Sequence, residues 1–170
     1  MKILIVENVD PATFEALLAR REAVIAIGEG ELRGLGLAAL LHSDWAVVSA
    51  GATIALDCAE AWSGAVWRIG PGAVRLLLDG GPLSARDAIR HSLVDGIVPA
   101  GTDPLQWIEA WLGGRSALAL DSAASLIRRR GGDPLERAEF ARMFATGETQ
   151  IGLAAFLAKK PPRWRNDDER

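Results

Sequence analysis

The chain is short of the residues that build cross-links and metal centres. Its 170 residues include one cysteine, Cys58, two histidines and no tyrosine. A single thiol excludes an intrachain disulfide and provides no metal cluster, which points to a reducing, cytoplasmic compartment. Positive charge is not in excess: 19 Lys and Arg stand against 22 Asp and Glu, a net charge of −3. That balance gives no global attraction to nucleic acid or to an anionic membrane. No apolar run approaches a bilayer span, and the apolar stretch of MKILIVENVD is too short for a signal peptide.

What is present fits a globular protein. Hydrophobic residues make up 49% and charged residues 24% of a chain long enough to bury a real core. The six tryptophans read as large apolar side chains filling a core or a subunit interface. The most pointed local feature is VIAIGEGELRGLGLAALLHSD, from Val24 to Asp44. Val24 to Ile27 read as a short buried strand, glycines follow at 28, 30, 34 and 36, and an apolar helix starts near Leu37. Glycine allows a backbone to approach a ligand closely, and the first turn of a helix presents N–H groups without intrahelical partners at the positive end of its dipole. Such a segment suits an anion or a developing oxyanion.

The rest of the chain supplies a frame for it. Lys2 to Val6 read as a buried parallel strand, and Asp10-Pro11 as the start of a helix running to about Glu22, with Phe14, Leu17 and Leu18 on one face. Trp45 to Ser49 and Thr53 to Leu56 read as further strands, and the alternation argues for a mainly parallel sheet covered by helices. Beyond it, helices are expected over Gly70 to Asp79, Ala85 to His91 with Ser84 as cap, from Asp103-Pro104, Ala117 to Arg130 with a stop at Gly131-Gly132, Asp133 to Phe144, and Gln150 to Lys160. Asp95 to Val98 should be a short extended piece, and the chain ends in the polar residues RNDDER.

Three segments, in order, resemble the enoyl-CoA hydratase/isomerase (crotonase) superfamily: IAIGEGELRGLGLAALLHSD, LLLDGGPLSARDAIRHSLVDGIVP and FATGETQIGLAAFLAKKPPRW. The resemblance implies an α/β crotonase-like β-α spiral, shortened at its N-terminus, with a helical C-terminal part. It divides the chain into a spiral core at 1–100, a helical trimerisation region at 101–162 and a polar tail at 163–170. It further implies an acyl-CoA thioester as ligand, no covalently bound cofactor, no metal, and assembly as a trimer or hexamer or with a full-length homologue. Thioester enolates in this family are held by two backbone N–H groups. By register one donor is the N–H of Leu35, between Gly34 and Gly36, and the other comes from the N–H of Val9 or Asp10. Phe156 and Lys159 fall where the family packs against coenzyme A of a neighbouring subunit.

The departures from the family pattern are as informative. The position of one hydratase glutamate is Ala38 and that of the other is Cys58, and neither shuttles protons as a carboxylate does. Asp57 and Glu60, flanking Cys58, are the acid/base candidates that remain. Two readings follow: a crotonase-like acyl-CoA binder with a reduced pocket, in which classical hydratase chemistry is not expected, or a noncatalytic crotonase-like subunit partnering a full-length homologue. His42, His91 and Cys58 read as structural residues, and Arg128-Arg129-Arg130 as cations suited to a helix C-terminus.

Overall fold

The computed structural model describes residues 1–129 and 132–165. The first compact unit, Lys2–Trp107, contains the sheets. It comprises β1 (Lys2–Ile5), α1 (Pro11–Leu18), β2 (Val24–Gly28), β3 (Glu31–Leu32), α2 (Gly34–His42), β4 (Trp45–Ser49), β5 (Thr53–Ile54), α3 (Ala59–Ile69), α4 (Ala73–Asp79), β6 (Leu83–Ser84), α5 (Ala85–Arg90), β7 (Gly96–Val98) and the start of α6 (Pro104–Leu112). The main sheet has the order β1-β2-β4-β7, and all its pairings are parallel. A second sheet, β3-β5-β6, pairs β3 with β5 in parallel and β5 with β6 antiparallel.

The core is organised around α2. Its sequence GLGLAALLH is apolar on every side, the pattern of a helix surrounded by protein, and Leu37 to Leu41 are fully buried. Small residues set its distance from its neighbours. A Cβ on Gly64 of α3 would lie 2.6 Å from Leu41 Cβ, and one on Gly36 would lie 3.1 Å from the carbonyl oxygen of Val6, just past β1. Two buried arginines hold the other end. Arg20 donates to the His42 carbonyl at 2.7 Å and pairs with Asp44; Arg68 donates to the carbonyls of Leu41 and Ser43 at 2.9 and 3.1 Å and pairs with Asp95. Cations at a helix C-terminus satisfy orphan carbonyls and oppose the helix dipole.

Several expected boundaries move. Helix α1 has Asp10 as its cap and Pro11 in its first turn, but stops at Leu18 instead of near Glu22. Arg20 turns back to donate to the Leu17 carbonyl at 2.6 Å, and Leu18 is 51% exposed instead of joining Phe14 and Leu17 in the core. The helix expected over Gly70 to Asp79 is α4, which starts at Ala73 after a 3₁₀ turn at Gly70–Gly72, and the separate helix α3 directly after Cys58 has no counterpart among the expected helices.

The second compact unit takes in the chain from Ile108 onward together with Met1. Its helices are α7 (Ala117–Arg128), α8 (Asp133–Ala145) and α9 (Glu148–Leu157). Helix α9 starts earlier than Gln150 and ends before Lys160, because the left-handed Gly147 opens it and the left-handed Lys159 turns the chain away. Arg130 and Gly131, expected at the end of α7, and residues 166–170 of the expected tail lie outside the described residues.

Candidate functional site at the start of helix α2

The glycine segment forms a strand, a tight reversal, a two-residue strand and then a helix. Gly30 (φ +63°) and Gly34 (φ +53°) occupy left-handed backbone that side chains disfavour, so each bend falls where glycine permits it. Leu32 folds under Gly28, where a Cβ would meet its methyl carbon at 2.7 Å. Pairing of β3 with β5 continues through Thr53 N–H to the Gly30 carbonyl and Ala55 N–H to the Leu32 carbonyl, both 2.9 Å. This register carries the strand running through residue 55 alongside the glycine segment and delivers Asp57 to the start of α2.

There the Asp57 carboxylate accepts the Gly34 N–H at 2.8 Å with one oxygen and Arg33 Nε at 3.1 Å with the other. Arg33 is also within 3.4 Å of Glu31. The Gly34 amide first, then the Arg33 guanidinium, hold the Asp57 carboxyl below the ordinary carboxylate range. Asp57 is thus an anion set on the positive end of α2, a weak base and not an acid at neutral pH.

Leu35 is the second residue of α2, so its N–H has no acceptor within the helix. Its half-buried side chain packs on the same apolar cluster as Val9. Gly36 is the residue that lets this turn sit against the Val6 carbonyl. Asp10 is exposed, and its carboxylate caps α1 by accepting the Thr13 N–H at 2.7 Å, which lowers its pKa.

The two hydratase-glutamate positions have other duties. Ala38 is fully buried inside α2. Cys58 caps α3, its Sγ accepting the Ala61 N–H at 3.4 Å, and burial pushes its thiol upward. Glu60 lies exposed in the first turn of α3. Gly34, Leu35, Gly36 and Asp57 therefore meet at one helix start, while Glu60 stands on the next helix. Phe156, 79% exposed on α9, and Lys159 belong to the other compact unit.

Arg33 is the residue that sequence reasoning missed. Its signal is tertiary, since it gains meaning only once the β3–β5 register brings Asp57 beside it. His42 packs edge-on to Phe14 with ring centroids 5.6 Å apart, and burial lowers its pKa. Among the described residues no cluster of His, Cys, Asp and Glu could hold a metal, and no helix is long and apolar enough to cross a membrane.

A main sheet of parallel strands covered by helices defines an α/β protein. Comparison with solved structures agrees. The chain matches an enoyl-CoA hydratase/isomerase family member with a TM-score of 0.77 and 23% identity over 91% of this chain and 64% of that one. It also matches DspI of Pseudomonas aeruginosa (TM-score 0.70, 28% identity, 93% and 71% covered) and an enoyl-CoA hydratase of Polaromonas (0.73, 26%, 91% and 66%). It spans less than two thirds of the first of these structures. No family model and no curated protein matches the sequence. The fold of the chain is that of the enoyl-CoA hydratase/isomerase (crotonase) structures.

Proposed function

We propose that this chain binds a coenzyme A thioester at the start of α2, with the thioester carbonyl oxygen received by the Leu35 N–H. The observation that carries the reading is the exposed-end geometry of α2. Gly34 turns the chain, Gly36 seats it on Val6, and the Leu35 amide is left without an intrahelical partner at the positive end of a buried helix. A second donor from the N–H of Val9 or Asp10 would complete an oxyanion hole. Asp57, which accepts the Gly34 N–H at the same helix start, and Glu60 in the first turn of α3 are the acid/base candidates. Phe156 and Lys159 would meet coenzyme A supplied across a trimer, hexamer or mixed assembly in the cytoplasm.

A specific observation favours a second reading, a noncatalytic crotonase-like subunit that assembles with a full-length homologue. Ala38 is sealed in the core, Cys58 is used as a helix cap, and Asp57 is already bound to Gly34 and Arg33. This leaves thioester binding as the function to test first.

The test is a titration with crotonyl-CoA followed by melting temperature. Ligand linkage requires a rise if the native state binds. Leu35→Pro deletes the amide proton at a first-turn position that tolerates proline, and should abolish the rise, whereas Leu35→Ala should keep it. No rise in the parent protein at saturating thioester, or an equal rise in Leu35→Pro, would sink the reading.

A further inference from the structure

A second candidate site lies in the unit that begins at Ile108, independent of α2. A recess of about 270 Å³ is lined by Leu118, Arg142, Thr146, Glu148 and Arg165. By liquid volume this holds about nine waters, which suits a molecule of amino-acid size.

Its polar groups are unequally satisfied. Glu148 is only 3% exposed, and its Oε2 accepts a short hydrogen bond from Ser116 Oγ. Its Oε1 accepts nothing from a described residue, and among the described residues Glu148 forms no ion pair. That oxygen faces the recess, where water or a ligand's donor can complete it. Arg142 does not complete it, because it is committed to Glu139 and Ser122. Hydrogen bonds from Arg142 foremost and then Ser122 hold the Glu139 carboxyl down to about 2.

Arg165 has capacity to spare. Its guanidinium rests over Gly147, 3.4 Å from where a Cβ would stand, and donates to the Thr146 carbonyl at 3.3 Å, so most of its donor fork is open. Gly147 adopts φ +82° and lacks a side chain at the point where Arg165 crosses it. The recess thus sets an open guanidinium and the accessible second oxygen of Glu148 around one small volume, with Leu118 as the apolar wall.

We propose that this recess binds a small molecule carrying a carboxylate and a hydrogen-bond donor, the chemistry of an α-amino or α-hydroxy acid. The carboxylate takes the fork of Arg165, for which planar guanidinium geometry is suited. The amino or hydroxyl group donates to Glu148 Oε1. One-ended molecules satisfy only half of the site.

The experiment is a thermal-shift and calorimetric screen of the full chain against the twenty amino acids and lactate, with acetate and ethylamine as one-ended controls. At least one two-ended compound should raise the melting temperature at millimolar concentration, and both controls should bind at least tenfold more weakly. Arg165→Ala, a surface change, should weaken that compound at least tenfold. Glu148→Gln should weaken amines more than hydroxy acids. Two results would overturn the proposal: no two-ended compound raising the melting temperature at millimolar concentration, or binding unchanged in Arg165→Ala. Loss of stability in Arg165→Ala without any ligand response would show instead that Arg165 itself fills the recess, and would also overturn it.

Discussion

The Gly34 amide nitrogen and an Asp57 carboxylate oxygen, 23 residues apart in sequence, stand 2.8 Å from each other at the start of the most buried helix of the protein. Asp57 does for α2 what a capping residue does locally, but from the segment between β5 and α3. The same contact places a fixed negative charge beside the amide that would receive a thioester oxygen. Asp57 therefore trades stability of the helix against affinity for a second anion.

Replacing that carboxylate separates the two effects. Asp57→Asn should lower stability by about 1 kcal/mol at neutral pH, the usual worth of a lost helix cap. The native pKa of Asp57 lies below its ordinary value of 3.8, so its contribution is complete above pH 3.8 and is lost as pH falls through the native value. Denaturant unfolding of both proteins should show a gap at pH 7 that closes at the acid end. A gap of constant size down to acid pH would show that the charge is not what matters.

His42 should produce a different acid limb. Burial against Phe14, with Arg20 and Arg68 near, lowers its pKa from 6.5. The unfolded chain then takes up a proton at higher pH than the native state does. Stability should fall as pH drops below 6.5, until the native histidine also protonates. His42→Gln should flatten this part of the stability profile relative to the parent.

The α2–α3 contact has no room for growth. A Cβ on Gly64 would stand 2.6 Å from Leu41 Cβ, and crowding of this kind costs about 2 kcal/mol even after the better helix propensity of alanine. Gly64→Ala should melt several degrees lower than the parent. Gly51→Ala is the control, because nothing lies within 4 Å of its Cβ position. Equal melting temperatures for the two variants would contradict this packing.

Arg68 should matter more than a surface cation. Its side chain is 6% exposed and it satisfies two carbonyls as well as Asp95. Arg68→Met keeps much of the volume but leaves these acceptors unpaired, at a cost of about 2–3 kcal/mol. Urea unfolding should show the midpoint displaced with an unchanged slope.

Local signals were readable from the chain alone. Asp10-Pro11 starts α1, Ser84 caps α5 by accepting the Asp87 N–H, and the glycine segment turns from strand to helix as its spacing indicates. Each of these depends on residues a few positions apart. Helix α3 was hidden because its cap is a cysteine, a weak capping residue, and because Gly64 interrupts its interior. The Arg33–Asp57 and Arg68–Asp95 pairs were hidden for another reason: each depends on strand register or on helix packing between distant segments. Sequence pattern indicates which helix start is special, but not which charge arrives to meet it.

The parallel order β1-β2-β4-β7 also sets a tempo for folding. The register Val47↔Gly96 cannot form until the intervening α3, α4 and α5 have closed a long loop, whereas α8 and α9 need only the turn at 146–147. Loop closure between distant segments slows folding well beyond the rate of local helix pairing. The strand edges of the central sheet therefore wait longest for their partners, and that interval, more than the native state, is when the chain is exposed to aggregation.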